Sequence, residues 1–232
     1  MDFLTVTQSL LEGFGITCLL FILTLILAIP LGLLISFGTM SKIAVIRKPF
    51  KVIVWVIRGI PLMLQLFIVY YLPGMLSPTG ANFWGKLDNY MYFNYGVEFG
   101  GPIIATLIAF VINYAAYFSE IFRGGIEAIP KGQYEAGQVL GLSKSQIFFK
   151  IVLMQVVKHI IPPMSNEIIT LVKDTALARV IGVIEIIRKA DLFASKALIW
   201  PLFYAGAFYL VFVGLLTLIF GWIEKKLSYY KV

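Results

Sequence analysis

The longest stretch of the chain without a charged side chain covers residues 13–41. About 20 apolar residues are enough for an α-helix to cross the hydrocarbon core of a bilayer, so this stretch is long enough to span it with a tilt. Residues 197–223 form a second stretch of this kind. A chain with two such stretches folds in a membrane. The composition agrees, since 60% of the 232 residues are hydrophobic and 13% are charged.

Three further segments complete a prediction of five spanning helices. Residues 52–72 are apolar apart from Arg58, and residues 101–119 carry no charge. Residues 151–172 are more polar, but their apolar side chains would be unfavourable in water, so we expect them to form the fourth span. We therefore expect an all-α membrane protein with about five transmembrane helices, forming one domain over residues 1–232.

The basic residues predict the orientation of these spans. With the amino terminus outside and the carboxyl terminus in the cytosol, most of the 19 Lys and Arg residues lie on the cytosolic side. The exception is the segment 173–196, which places five basic residues outside. We expect either local pairing with Asp174, Glu185 and Asp191 or a return of the segment into the protein interior to neutralise them. Aromatic side chains crowd the loop 73–100, which we expect to lie along the lipid headgroups.

Several functions are excluded by what the chain lacks. The net charge of +7 belongs to residues that flank apolar segments, so no nucleic acid partner is expected. Cys18 is the single cysteine, which leaves no disulfide, and we expect no metal site. No G-x-x-x-x-G-K-[ST] phosphate loop is present, and with a single histidine no catalytic arrangement is recognisable. We expect no catalytic residue and no cofactor bound by this chain.

The connection between the third and fourth spans, about residues 124–150, is polar and forms helices. Residues 131–140 favour a helix, Gly141 can take the left-handed conformation that ends one, and Ser143 with Gln146 forms a capping box that starts another. This pattern predicts two short helices with a bend. A solvated loop and a docking surface are both compatible with it.

This connection resembles the cytoplasmic coupling loop of ATP-binding-cassette (ABC) importer permeases. Residues at the matching spacings are Glu135, Ala136, Gly141, Ile151 and Leu153. Two positions depart from the family pattern. Gly137 replaces an Ala, which we expect to soften the first helix, and Met154 replaces a Pro, which leaves the start of the fourth span straighter. We expect a break in that span only further on, at Pro162 and Pro163.

Three other segments narrow the resemblance to the polar amino acid branch of these permeases, the histidine, arginine and glutamine type. Residues 58–62, continuing to Gln65, resemble its Arg-Gly-Thr-Pro signature, with Ile60 in place of Thr. Residues 116–137 resemble the end of its third span and its coupling loop. Residues 171–183 resemble its Lys-Asp-Thr-Ser-Leu segment, with Ala176 in place of Ser.

The resemblance implies a permease subunit of an importer in a bacterial plasma membrane, with the type I ABC importer permease fold and cytoplasmic coupling helices. ATP and Mg would be bound by a separate ATPase subunit, and an extracellular or periplasmic protein would deliver the amino acid. The permease would pair with itself or with a similar chain. Residues expected to contact the ATPase are Lys131, Gly132, Gln133, Glu135, Ala136, Gly137 and Gly141.

Polar side chains in the third and fourth spans indicate where the substrate binds. Those at helical spacing or next to it, which we expect to contact the substrate, are Asn113, Tyr117, Glu120, Asn166, Glu167, Thr170 and Asp174. For Glu120 an intrahelical pair with Arg123 is an equally simple explanation. A surplus of carboxylates predicts a basic amino acid such as arginine, lysine or histidine. An autonomous secondary transporter and a membrane scaffold without ATPase coupling are the alternative functions.

Overall fold

The computed structural model describes residues 2–77, 83–95 and 100–227, and the described residues are almost entirely helical. The helices are α1 (Phe3–Thr39), α2 (Ala44–Gly59), α3 (Leu62–Leu76), α4 (Phe83–Tyr95), α5 (Gly101–Glu127), α6 (Lys131–Val139), α7 (Lys144–Ile147), α8 (Leu153–Asp174), α9 (Ile186–Ala194) and α10 (Trp200–Leu227). A π-helical turn, Phe148–Val152, joins α7 to α8, and a 3₁₀ segment, Thr175–Ile181, follows α8.

The predicted class, an all-α membrane protein with about five spans, is confirmed. Helices α1, α5 and α10 and the continuous helix Lys144–Ile181 are each long and apolar enough to cross a bilayer. The bent pair α2 and α3 accounts for a fifth span. Helix α1 begins at Phe3, before the charge-free stretch, because Val6 and Leu10 are buried in an apolar cluster with Ile186 of α9.

The span predicted over residues 52–72 is a bent pair of helices. Helices α2 and α3 meet at an angle of 104°. Pro61 has no backbone N–H and disfavours the helical conformation of Ile60, which is extended with φ −102° and ψ 131°. The Gln65 side chain holds this corner, since its Nε2 donates to the Ile57 carbonyl at 2.7 Å and to the Ile60 carbonyl at 2.8 Å. Arg58 therefore lies at a corner rather than inside a spanning helix.

The fourth span is longer than predicted and is not broken at its prolines. It runs without interruption from Lys144 to Ile181, with Pro162 and Pro163 inside α8. Packing against α5 on one side and α10 on the other supports the helix where the two prolines remove backbone donors. The expected break is therefore absent, and α7 is a single turn at the start of a long helix instead of a separate element.

Helix α5 forms the centre of the bundle and packs along most of α1. Small buried residues, among them Ala109 and Ala115, allow the two helices to approach closely. At Gly32 of α1, an added Cβ would lie 2.8 Å from the Cβ of Phe118 and 3.0 Å from the Ala115 carbonyl oxygen. This packing fixes the face of α5 that is left for α2, α3 and α8.

The aromatic loop is only partly as predicted. Trp84 of α4 is buried, and its Nε1 donates to the Tyr70 carbonyl at 2.7 Å, so this ring packs against the protein instead of facing outward. Phe93, by contrast, is 81% exposed. Phe99 and the side chain of Tyr95 lie outside the described residues.

Charges in the segment 173–196 are partly neutralised by pairing, as expected. Arg179 lies 2.8 Å from Asp191, and Lys189 lies 2.9 Å from Glu12 of α1. Glu185 has a different role, because it caps the amino terminus of α9. Its carboxylate accepts from the backbone N–H groups of Ile187 at 2.9 Å and Arg188 at 2.7 Å.

Candidate functional site

A cleft of about 440 Å³ opens where the corner between α2 and α3 faces α5 and α8. Its lining residues are Arg58, Gly59, Ile60, Pro61, Leu62, Asn113, Tyr114, Tyr117, Glu167, Thr170 and Asp174. The corner exists because of Pro61. The polar side chains of α5 and α8 that face this corner recur at the spacing of one face of a helix. We call this space the upper cleft.

Arg58 supplies the positive charge of the upper cleft. Its guanidinium carbon lies 5.1 Å from the centroid of the Tyr117 ring, within the range of a cation–π contact. Its Nη1 lies 3.6 Å from Oε2 of Glu120. The ring and the carboxylate hold the guanidinium at the corner, with part of the side chain, 41%, still accessible.

Two carboxylates from α8 face this guanidinium across the upper cleft. Asp174 accepts a hydrogen bond at 2.7 Å from the hydroxyl of Tyr114, a residue of α5 that is almost fully buried. Within the described part of the chain, no side chain pairs with the half-buried Glu167. The upper cleft thus presents one cation and two acidic groups, together with the amide of Asn113 and the hydroxyl of Thr170.

Most of the predicted substrate residues come together in the upper cleft. Those that line it are Asn113, Tyr117, Glu167, Thr170 and Asp174. Asn166 is exposed and does not line the upper cleft. Its neighbour Glu167 faces the cleft, and successive residues of a helix are rotated by about 100°, so Asn166 points elsewhere. No measurement here assigns any of these residues a contact with substrate, so those roles stay predictions.

Glu120 lies outside the upper cleft and is held by an intrahelical pair. Its Oε2 accepts from Nη2 of Arg123 at 2.7 Å, and its Oε1 accepts from Nε at 3.2 Å. The intrahelical pair expected as an alternative for Glu120 is therefore present, and a contact of Glu120 with substrate stays a prediction. Glu120 lines a second cleft of about 380 Å³ next to the first, nearer the end of α5 that leads into α6.

Sequence reasoning missed two residues of the upper cleft, Arg58 and Tyr114. The signal for Arg58 was present in the segment Arg58 to Leu62, which carried the family resemblance, but its position depends on a corner that hydropathy does not reveal. Tyr114 sits three residues before Tyr117 on α5, a spacing that puts both on neighbouring parts of one face.

The connection between α5 and α8 has the predicted bend and caps. Gly141 has φ +73°, and its N–H donates to the Gln138 carbonyl at 2.9 Å, while the N–H of Leu142 donates to the Gly137 carbonyl at 3.0 Å. These two bonds form a Schellman motif, which ends α6 at a left-handed glycine. The side chains of Ser143 and Gln146 then cap each other's backbone N–H groups at 3.3 Å and 2.9 Å.

Gly137 has a packing role that differs from the softening we predicted. A Cβ at this position would lie 2.6 Å from Cγ1 of Ile147, which is 2% exposed. The missing side chain lets α6 lie against α7. On the outer side of the same turn, Val139 is 88% and Leu140 is 75% exposed.

The remaining predicted contact residues of this loop lie on α6 or, for Gly141, just after it. The exposed ones are Lys131, Gly132, Glu135, Ala136 and Gly141, and Gln133 is half-buried. Because α6 presents charged and apolar groups together, it can meet a partner surface through both kinds of contact. That these residues contact an ATPase stays a prediction.

Comparisons with known proteins identify the relationship. The family model described as the inner membrane component of binding-protein-dependent transport systems matches residues 28–229. The L-cystine transport system permease protein TcyB of Bacillus subtilis (strain 168) is 37% identical, over 94% of this chain and 86% of that protein. The arginine transport system permease protein ArtQ of the same organism is 36% identical, over 94% and 92%. A putative glutamine transport system permease protein GlnP of Rickettsia felis is 31% identical, over 94% and 92%.

Solved structures show the same relationship. An amino acid ABC transporter crystallised with histidines has 28% sequence identity and a TM-score of 0.76, and the match covers 97% of this chain and 99% of that chain. The MetNI methionine ABC transporter in an inward-facing conformation shares the fold, with a TM-score of 0.64 at 16% identity, over 98% and 99%. The resemblance to the polar amino acid permeases is confirmed, and the chain belongs to the family of inner membrane components of binding-protein-dependent transport systems.

Proposed function

We propose that this chain is the permease subunit of an ATP-driven amino acid importer and that the upper cleft binds the amino acid during transport. The observation that carries this proposal is the arrangement of opposite charges in the upper cleft, with Arg58 on one wall and Glu167 and Asp174 on the other. A zwitterionic amino acid removed from water needs a donor for its carboxylate and an acceptor for its ammonium group, because either group is costly to bury alone. The upper cleft offers both.

The balance of charges favours a basic amino acid. An arginine or lysine molecule carries one carboxylate and two cationic groups, which matches one guanidinium and two carboxylates. Glutamate or aspartate would bring two carboxylates toward Glu167 and Asp174, and like charges at close range are unfavourable. Glutamine would satisfy Arg58 and one carboxylate but leave the other without a cation. The ring of Tyr117 can pack against the aliphatic part of the side chain.

Energy for transport would come from a separate ATPase subunit that binds ATP and Mg. Its docking surface on this chain would be the turn from α6 to α7, where Lys131 and Glu135 are exposed beside Val139 and Leu140. Because one chain provides one such turn and ATPases of this type act in pairs, the permease would form a dimer with itself or with a similar chain. An amino-acid-binding protein on the opposite side of the membrane would deliver the substrate.

This function also requires an orientation in the bacterial plasma membrane. The turn from α6 to α7 would face the cytosol, where ATP is available. The amino terminus would then lie outside and the carboxyl terminus inside, which agrees with the distribution of the basic residues.

Competition for uptake tests the substrate class. Membrane vesicles that contain the complete transporter would be supplied with labelled arginine and with excess lysine, glutamine or glutamate. We expect lysine to abolish uptake of the label and glutamate to leave it unchanged. If glutamine competes strongly and lysine does not, the basic substrate is wrong.

Two variants link that result to the upper cleft. Glu167→Gln removes a carboxylate of the upper cleft, and we expect it to weaken competition by lysine much more than competition by glutamine. The matched control is Glu12→Gln, which removes an exposed carboxylate of α1 that pairs with Lys189 away from the upper cleft.

Uptake that continues without any ATPase subunit would instead identify a secondary transporter.

A further inference from the structure

The second cleft, introduced above beside Glu120, is stacked directly below the first along α5. We call it the lower cleft. Residues that line it and not the upper cleft are Glu120, Ile121, Gly124, Gly125 and Ala128 of α5 and His159 and Pro163 of α8. Arg58, Tyr117 and Glu167 line both clefts. The two spaces therefore meet at a cation, an aromatic ring and a carboxylate, and the lower one lies nearer the turn from α6 to α7.

The lower cleft has the polar groups that a small zwitterion requires. Glu120 is already neutralised by Arg123 at 2.7 Å, whereas Glu167 has no ion-pair partner among the described residues. Glu167 can therefore accept from an ammonium group. Arg58 can donate to a carboxylate, and His159, which is exposed at the margin of the cleft, adds a further donor or acceptor.

We propose that the lower cleft is a second amino-acid site, loaded from the side of the turn between α6 and α7, and that it shares Arg58 and Glu167 with the upper cleft. This proposal rests on the proposed function, because the shared groups matter only if the upper cleft also binds an amino acid. Two zwitterions that shared these groups would bring their carboxylates together at Arg58 and their ammonium groups together at Glu167, and like charges at close range repel. An amino acid in the lower cleft therefore excludes one from the upper cleft, so that transported product competes with incoming substrate.

Each cleft is lined by a glycine at which a substitution can add a larger side chain to that cleft alone. Gly59 lines the upper cleft only, and Gly124 lines the lower cleft only. A Cβ added at either position meets nothing within 4 Å, so a larger side chain can enter the open space without a clash at its first carbon. Gly59→Leu and Gly124→Leu fill the two spaces, and the corresponding Ala variants serve as matched controls.

Equilibrium binding of labelled arginine to the purified complete transporter, without nucleotide, tests the proposal. We expect one arginine per permease chain in the wild type and in both Ala variants. Each Leu variant retains binding through its open cleft, and the double variant Gly59→Leu/Gly124→Leu loses it. Co-purification of all subunits with each variant shows that the complex is assembled.

Other outcomes separate the two proposals. Loss of all binding in Gly59→Leu alone would show that the lower cleft binds no amino acid, while the proposed function of the upper cleft would stand. Loss of all binding in Gly124→Leu alone would overturn the proposed function and this inference with it. Two arginines per wild-type chain would refute the exclusion that the shared groups require.

Discussion

The contact between Gly137 and Ile147 gives a prediction about the turn between α6 and α7. In a Gly137→Ala variant the new methyl group would lie 2.6 Å from Cγ1 and 2.9 Å from Cδ1 of Ile147, whereas ordinary contacts begin at 3.4 Å. Ile147 would have to retreat by almost 1 Å. It is 2% exposed and belongs to the main apolar cluster, so there is no open space for it to enter.

The size of the effect follows from two opposing contributions. Forcing an extra methyl group into a packed site costs about 1–3 kcal/mol. Replacing Gly by Ala inside a helix returns about 0.5–1 kcal/mol. The two contributions together lower the free energy for local opening of α6 by about 0–2.5 kcal/mol. Their midpoints give about 1.2 kcal/mol, which corresponds to an opening equilibrium about 8-fold larger.

Amide hydrogen exchange of residues 131–147 in the purified transporter measures this opening. The informative amide is that of Leu142, which donates to the Gly137 carbonyl. We expect faster exchange in Gly137→Ala and no acceleration in the control Gly132→Ala, since a Cβ at Gly132 meets nothing within 4 Å. In an Ile147→Ala background, the penalty of Gly137→Ala should disappear.

Two results would refute this reasoning. One is exchange in Gly137→Ala as slow as in Gly132→Ala. The other is the same acceleration in both Ile147 backgrounds, which would mean that the contact with Ile147 does not cause it. In the first case Gly137 would only increase the freedom of α6, and in the second a contact other than that with Ile147 would require the glycine.

Three further predictions concern the rest of the bundle. Gly13→Ala would place a Cβ 2.8 Å from Cα of Ile186, and we expect this clash to cost about 1–3 kcal/mol and to lower the Tm of the complex. Gly15→Ala is the control, because a Cβ at Gly15 lies in open space and should leave the Tm unchanged. Equal Tm values for the two variants would contradict this packing. Burial raises the pKa of the Glu185 carboxyl, and its hydrogen bonds from the backbone only partly oppose this, so its folded pKa lies above its unfolded value. Its contribution to stability is therefore complete below the ordinary value of 4.5 and is lost as the pH rises through the folded pKa. Glu185→Gln should flatten the fall in Tm with rising pH, and identical Tm profiles in the two proteins would show the sign to be wrong. A reporter that is active only in the cytosol should give a signal when it is fused after Val232. A signal from a reporter that is active only outside the cytosol would overturn the orientation.

Sequence periodicity predicted the parts of the site that depend on a single helix. Asn113 and Tyr117 are four residues apart on α5, and both line the upper cleft as their spacing indicates. The capping pair Ser143 and Gln146 was equally recognisable, because a cap is formed by residues close in sequence. Gly141 ended α6 for the same reason, since its left-handed conformation is a local property.

The parts that sequence reasoning missed depend on contacts between distant segments. Arg58 enters the site only because α2 and α3 meet at 104°, an angle that apolar composition does not encode. Trp84 is buried because α4 folds back onto Tyr70 of α3. Asn166 and Glu167 are adjacent in sequence, and only the packing of α8 against α5 decides which of them faces the cleft.

The uninterrupted helix from Lys144 to Ile181 has a mechanical consequence. At 1.5 Å per residue, the distance along it from Lys144 to Asp174 is about 45 Å, so a tilt of about 5° about the Lys144 end would displace Asp174 by about 4 Å. Such a displacement is larger than the 2.7 Å hydrogen bond between Tyr114 and Asp174 in the upper cleft. The π-helical turn Phe148–Val152, close to the pivot, is the irregular part of this rod. We therefore expect this helix to act as a lever arm, in which a small rotation near Lys144 becomes a larger displacement at the upper cleft.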